Sequence, residues 1–116
     1  MLRDRKRFGA VVDICFREAR LCRVFNDDSL LRKRYGDDLA SRIATRMAVL
    51  KAAKHLGLLP QRPPIRLCKH DGSPTTFTVD VDPPRRLRFV AIGARPQRGQ
   101  RFALDRVHSI EIVAFE

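Results

Sequence analysis

The spacing of the apolar residues changes at Pro60, and this change constrains the fold more than any other feature of the sequence. Before Pro60, the residues Leu39, Ile43, Met47 and Leu50 recur at steps of four, four and three, which indicates a helix with one buried face. The segment "PQRPP" cannot be helical, because proline lacks the amide hydrogen and restricts the residue before it. Beyond it, apolar and polar residues alternate, as in half-buried strands. The sequence therefore predicts helices first and a sheet afterwards.

The part before Pro60 divides further. Residues 1–9 form a basic N-terminal arm, and "AVVDICF" after it is β-branched and short enough for a strand. "REARLCRVF" has helical spacing, and "NDDSLLRKRYG" offers a cap and a glycine stop for a short second turn or helix. The long helix then starts at Asp37 or Asp38 and ends before Gly57. We predict an α+β fold with an N-terminal strand and two helices, followed by a twisted, mainly antiparallel sheet.

The part after Pro60 predicts strands separated by turns at Asp71-Gly72 and at Asp82 to Pro84. A glycine-containing basic loop, "GARPQRGQR", leads to a last strand around "VHSIEIVAF". The apolar residues expected to pack on the helices are Ile65 and Leu67, then Phe77, Val79 and Val81, then Leu87, Phe89 and Ala91. No repeat or low-complexity linker interrupts the chain, so residues 1–116 are expected to form one domain.

The alternation also predicts what the other face of the sheet carries. If the apolar residues face the helices, the opposite face holds Arg66, Cys68, His70, Arg86 and Arg88. No carboxylate is expected directly among these groups. One interpretation is a cationic functional surface with an imidazole in it; the other is that an antiparallel sheet shows its polar side to water. Lys69 alternates away from this face, and we expect it to contact backbone phosphates at an edge.

The charge of the chain favours a polyanionic partner. Lysine and arginine number 24 against 13 aspartate and glutamate, a formal net charge of +11, and the sequence pI is about 11.0. Such an excess attracts nucleic acid first and acidic protein next, although a basic fold can also lack any such ligand. The basic residues expected to contact RNA, besides Lys69 and Arg88, are Arg42, Arg46, Arg95, Arg98 and Arg101.

The cysteines and the hydropathy suggest where the chain works. Cys15, Cys22 and Cys68 cannot all pair within one chain and make no CxxC motif, which favours a reduced, cytoplasmic protein without a metal site. We predict no signal peptide, because Asp13 interrupts the early apolar run and no small-residue cleavage site follows. We also predict no membrane span and no cofactor.

Several segments together resemble one family. "RYGDDLASRIATRMAVLKAAKHLGLLP", "PPIRL", "FTVDV" and "RRLRF", in this order, are similar to the HigB/RelE-type toxins of bacterial toxin-antitoxin systems, particularly the plasmid-maintenance killer proteins. The likeness runs from about Val11 to Phe115. It implies a toxin with a RelE-like fold, which enters the ribosomal A site and cleaves mRNA there. It also implies a cognate antitoxin, often with a helix-turn-helix, that holds the toxin inactive.

The resemblance implies that the cationic face of the sheet cleaves RNA. Cleaving RNA through its own 2′-hydroxyl requires a base, an acid and cations that stabilise the added charge on phosphorus. Arginines can supply the charge, and histidine is the side chain best suited to proton transfer near neutral pH. The candidate catalytic residues are Arg66, Cys68, His70 and Arg86.

Two departures from the family pattern predict weak catalysis. Relatives commonly have a histidine where this chain has Cys68, and they usually end in an Asp-Tyr-His tail, whereas this chain ends in "IEIVAFE". We therefore expect a ribosome-dependent mRNA endonuclease of low activity. The alternatives are a catalytically silent descendant that still binds RNA or an antitoxin, and a gyrase-poisoning, ParE-like toxin of similar fold.

Overall fold

The computed structural model describes residues 12–70, 72–93 and 103–116. Within them the helices are α1 (Ala19–Phe25), α2 (Asp28–Tyr35) and α3 (Asp37–Ala52). The strands are β1 (Asp13–Phe16), β2 (Cys68–Lys69), β3 (Thr76–Asp82), β4 (Arg85–Ala91) and β5 (Ser109–Phe115). Two short 3₁₀ helices span Leu56–Leu58 and Leu104–Arg106. The α+β fold, with helices followed by a sheet, is confirmed. The basic arm at residues 1–9 lies outside the described residues.

The helical part contains three helices in the described residues where two were predicted. The side chain of Asp27 caps α2 by accepting a hydrogen bond from the Leu30 amide at 3.2 Å, which separates α2 from α1. Gly36 has a φ of 84°, a left-handed conformation that glycine adopts readily, and it separates α2 from α3. The segment predicted as a short second turn or helix is therefore a helix of its own. The long helix ends at Ala52, earlier than Gly57.

The sheet brings the two ends of the described chain together. Its strand order is β1-β5-β4-β3-β2, and every pairing is antiparallel except the parallel pair of β1 and β5. The first strand thus lies beside the last strand, with the helices in the connection between β1 and the rest of the sheet. In this part of the chain no helix is long and apolar enough to cross a membrane.

The core lies between α3 and one face of the sheet. Ile43, Met47 and Leu50 are buried as the helical spacing predicted, whereas Leu39 is partly buried and Ala40 is fully packed instead. The expected apolar side of the sheet is confirmed as buried, because all eight predicted residues from Ile65 to Ala91 belong to the core. Ile110 and Ile112 of β5 complete it with no exposed surface.

An aromatic cluster closes the end of this core near α1 and α2. Phe25, Tyr35 and Phe115 contact one another edge to face, with ring centroids between 5.3 and 6.4 Å apart. The guanidinium carbon of Arg85 lies 4.5 Å from the Phe115 ring centroid. Arg34 and Arg85 each lie 5.7 Å from the Tyr35 centroid. Arg85 thus attaches the start of β4 both to α2, through Tyr35, and to β5, through Phe115.

Arg46 was predicted as an RNA-binding residue, and the structure corrects this prediction. Its side chain is buried, with 7% of the residue exposed, and its Nε donates a hydrogen bond to the Asp80 carbonyl oxygen at 2.6 Å. Burial lowers the pKa of Arg46, and the charge of Asp80 opposes that shift. Arg46 follows Ile43 by three positions, so it lies on the buried face of α3. It joins α3 to β3 and is not available to RNA.

Candidate functional site: the outer face of the sheet

The face of the sheet that points away from α3, here called the outer face, carries the predicted polar residues. Cys68 pairs with Thr78 on β3, and Thr78 in turn pairs with Arg88 on β4. In the neighbouring row Asp80 pairs with Arg86. Directly opposed residues share a face, and residues two apart along a strand do so as well. The register therefore brings Cys68, Arg86 and Arg88 onto one surface.

This surface contains a carboxylate, contrary to the prediction that none lies among the cationic groups. Asp80 is only 4% exposed, and its two oxygens accept hydrogen bonds from Arg66, Oδ2 from Nε at 2.7 Å and Oδ1 from Nη2 at 3.1 Å. These hydrogen bonds, the charge of Asp80 and the neighbouring Cys68 raise the pKa of Arg66. The charge of Arg66 is thus committed to a buried carboxylate, which makes Arg66 a poor candidate for binding a phosphate.

The backbone supports the same ion pair. Arg66 has a φ of 48°, in the left-handed region that non-glycine residues seldom adopt. The Asp80 amide donates to the carbonyl of Ile65 at 2.8 Å, and Arg66 Nη1 lies 3.5 Å from the Cys68 sulfur. These contacts join the chain before β2 to β3. Arg66 and Cys68 therefore belong to a contact that organises the edge of the sheet.

The other predicted catalytic arginine lies beside this ion pair. Arg86 is exposed, and its backbone makes two hydrogen bonds with Glu116, of 2.7 and 2.9 Å. The Glu116 side chain reaches the next outer residue of β4, with Oε1 3.2 Å from Arg88 Nη1. Arg86 thus extends the cationic surface from Arg88 toward the end of β5.

The outer face has a depression of about 270 Å³. Its lining consists of Arg17, His70, Thr76, Arg88, Val90 and Val113. His70 follows β2 directly, and its amide donates to the Thr76 carbonyl at 2.7 Å, which fixes the histidine beside β3. Of the four predicted catalytic residues, His70 is the one in this lining. Among the predicted RNA contacts, Arg88 is there too.

Both arginines of the depression have carboxylate partners. Arg17 donates to Glu111 Oε1 from Nη2 at 2.8 Å and from Nε at 3.1 Å. Arg88 pairs with Glu116 as described above. The side chain of Arg17 is 57% exposed and that of Glu111 is 27% exposed. The side chain of Arg88 is 33% exposed and that of Glu116 is 54% exposed. Solvated pairs of this kind contribute roughly 0–1 kcal/mol, so the arginines can exchange a carboxylate for another anion.

Four residues of the depression were absent from the sequence-based prediction, namely Arg17, Thr76, Val90 and Val113. Thr76 and Val90 pair across β3 and β4 and are in alternation with predicted core residues, so the period of two contained that signal. Arg17 lies in the depression because β1 pairs in parallel with β5, and no local sequence pattern predicts that pairing. Val113 lies at an irregularity where Arg88 pairs with Ala114 but Phe89 pairs with Ile112, and such a bulge is not visible in the sequence.

The remaining predicted RNA contacts are dispersed. Lys69 is exposed and pairs with the core residue Phe77, so it points away from the outer face as predicted. Arg42 is exposed on α3. Arg95, Arg98 and Arg101 lie outside the described residues. Over residues 12–70, 72–93 and 103–116, no group of three or more histidine, cysteine or acidic side chains could hold a metal ion.

The fold and this face define an α+β protein with a mainly antiparallel sheet, one side of which carries arginine–carboxylate pairs and an open depression lined by a histidine and two arginines. Comparison with protein-family models, curated proteins and solved structures found no significant match.

Proposed function

We propose that this protein is the toxin of a bacterial toxin-antitoxin system and cleaves mRNA on the ribosome, with the RNA lying across the outer face. The observation that carries the proposal is the depression that His70 shares with Arg17 and Arg88. It combines one proton-transfer group with two cations, which is part of the set of a base, an acid and cations that cleavage through the 2′-hydroxyl requires. The resemblance of the sequence to HigB/RelE-type toxins supports the same reaction.

His70 takes one of the two proton-transfer roles. In this reaction the 2′-oxygen loses its proton and forms a bond to phosphorus, and the bond from phosphorus to the 5′-oxygen breaks as that oxygen gains a proton. Arg88 and Arg17 stabilise the negative charge that develops on the phosphoryl oxygens. The lining contains one imidazole. A single imidazole has to serve where two groups are preferable, so we expect cleavage to be slow.

The proposed toxin acts in the cytoplasm with an antitoxin as its partner. The solvated arginines of the outer face suit an acidic segment of such a partner as well as RNA. Cys22 and Cys68 are thiols, which is compatible with a reducing compartment.

The proposal is tested by incubating the protein with translating ribosomes and mapping mRNA 5′ ends by primer extension. A second protein, extended at its C terminus by Asp-Tyr-His, is assayed in parallel. We expect weak cleavage by the chain itself and stronger cleavage by the extended form. Ribosome binding without cleavage by either form would favour a silent descendant. Inhibition of DNA gyrase by a protein that leaves mRNA intact would favour the ParE-like alternative.

Binding to RNA is expected to depend steeply on salt, because phosphate contacts release condensed counterions. The net charge of +11 motivates this prediction. Titrating a fluorescent single-stranded RNA at several salt concentrations should give a log–log slope of roughly −0.7 per phosphate contact. Removing Arg88, as Arg88→Gln, should reduce the slope by about one contact. An affinity that stays constant between low and physiological salt would contradict the electrostatic interface.

A further inference from the structure

We infer that the outer-face depression is a subsite for a single ribonucleotide, with the phosphate between Arg17 and Arg88 and the nucleoside against Val90 and Val113. The inference takes its ligand class from the proposed function, because the nucleotide is one unit of the RNA strand. Binding of a single nucleotide can be measured without any cleavage of RNA. The ligand class is therefore a nucleoside 3′-monophosphate, the unit that carries both a 2′-hydroxyl and a 3′-phosphate.

The size of the depression limits the ligand. Sites for drug-sized molecules usually enclose ~300–1,000 Å³. This depression, at about 270 Å³, lies just below that range. An open depression of this size suits one unit of an RNA strand better than two paired strands. We therefore expect the substrate at this point to be single-stranded.

The two arginines approach from opposite sides of one strand. Arg17 directly follows β1, Arg88 lies on β4, and β5 runs between these strands with Val113 in the lining. Neighbouring strands are ~4.8 Å apart, so the two backbones are roughly 10 Å apart, within reach of two long side chains that converge on one phosphate. Guanidinium groups bind phosphate oxygens through paired N–H donors.

The carboxylates already on these arginines indicate how an anion would be held. Glu111 Oε1 lies 2.8 Å from Arg17 Nη2, and Glu116 Oε1 lies 3.2 Å from Arg88 Nη1. Arg17 thus donates hydrogen bonds to an oxygen anion at the outer face, and Arg88 forms an ion pair with another. A phosphate replaces these oxygens on the same donors. Removing the charge of a competing carboxylate should therefore strengthen phosphate binding.

The rest of the lining recognises a nucleoside rather than a bare anion. Val90 and Val113 are stiff, apolar side chains on which a ribose and a base can pack. The Thr76 hydroxyl donates to Ser73 Oγ at 2.9 Å, which leaves the Thr76 oxygen as an acceptor for a sugar hydroxyl. A ribonucleotide should consequently bind more tightly than its 2′-deoxy form, and both more tightly than inorganic phosphate.

The test is an NMR titration at low salt in which amide shifts of the whole chain are followed as adenosine 3′-monophosphate is added. Adenosine, inorganic phosphate and 2′-deoxyadenosine 3′-monophosphate are titrated separately. The variants are Arg17→Gln and Arg88→Gln, with Arg62→Gln as a charge-matched control on an exposed loop. A second pair is Glu116→Gln with Asp38→Asn, which removes the same charge from the exposed start of α3.

We expect Arg17→Gln and Arg88→Gln each to weaken nucleotide binding by about tenfold, the usual effect of losing a hydrogen bond to a charged group. Arg62→Gln should change it less than about twofold, since one distant exposed charge is largely screened. Glu116→Gln should strengthen binding more than Asp38→Asn does. Val113→Thr, which keeps the shape but replaces a methyl group with a hydroxyl, should weaken nucleotide binding and leave the binding of inorganic phosphate unchanged.

Other outcomes would overturn the inference. Equal affinity for inorganic phosphate and the nucleotide would reduce the site to an anion site, and equal effects of all three arginine variants would reduce it to a diffuse cationic surface. Cleavage of ribosome-bound mRNA without nucleotide binding would remove the subsite and keep the proposed function. Nucleotide binding as specified here, in a protein that never cleaves mRNA, would keep the subsite and remove the nuclease.

Discussion

Replacing His70 by alanine is expected to lower ribosome-dependent mRNA cleavage by about 10²- to 10⁴-fold, the usual loss when a general acid or base is removed. His70 is the one residue in the lining of the depression with an imidazole, a side chain suited to general acid–base catalysis, and it lies there with Arg88 and Arg17. The rate is measured by primer extension at saturating protein. Where the unextended chain is too slow to quantify, the Asp-Tyr-His extension is the background for both proteins.

A matched control for this variant is His108→Ala. His108 is exposed, and its Nδ1 lies 3.0 Å from the Lys54 carbonyl oxygen, outside the depression. The control removes the same side chain and should leave cleavage within about twofold, as surface substitutions away from a site usually do. Added imidazole should restore part of the activity of His70→Ala and none in the control. If His70→Ala cleaves as fast as the parent protein, His70 has no part in the chemistry.

The order and type of the elements could be predicted because they depend on local patterns. The α3 stripe and the alternation in β3 and β4 follow directly from the spacing of apolar residues, and both are confirmed as core except at Leu39, which is only partly buried. The Gly36 stop was visible too, but the helical character of the short segment before it was underestimated. Local periodicity therefore carried the fold class, although it did not settle the number of helices.

The candidate site was less predictable because it depends on contacts between distant residues. Arg17 and Glu111 are 94 positions apart in the sequence, and their pairing follows from the parallel contact of β1 with β5. Nothing near Arg17 in the sequence indicates that strand partner. The bulge that brings Val113 into the lining is equally invisible. The sequence predicted the character of the surface, but the structure selects which of its residues surround one depression.

Asp80 was a different kind of omission. It lies between the core residues Val79 and Val81, so strict alternation puts its side chain among the predicted cations. Its carboxylate holds Arg66 on the outer face, while its carbonyl oxygen accepts from Arg46, which reaches it from α3. A single strand residue thus fixes both Arg66, which was predicted to be catalytic, and Arg46, which was predicted to contact RNA. A charged side chain on the buried side of a helix signals an internal partner.

Replacing Arg46 by methionine is expected to lower the free energy of unfolding by about 1–3 kcal/mol, because the buried Asp80 carbonyl loses its donor at a point where the strand register shifts. Methionine is flexible and apolar and fills much of the same volume, so the effect reports the hydrogen bond more than a cavity. The measurement is urea denaturation followed by circular dichroism. Arg42→Met, an identical change on the exposed side of α3, should stay within about 0.5 kcal/mol of the parent protein.

The same two variants separate structure from RNA binding. Folded Arg46→Met should bind single-stranded RNA as tightly as the parent protein, since the lost charge was enclosed between α3 and β3. Arg42→Met removes a charge that RNA can reach, so any weakening of RNA affinity should appear in this variant and not in Arg46→Met. If Arg46→Met is as stable as the parent protein but binds RNA less tightly, Arg46 contacts RNA after all. A side chain that only supports the fold would lower stability and leave RNA affinity unchanged.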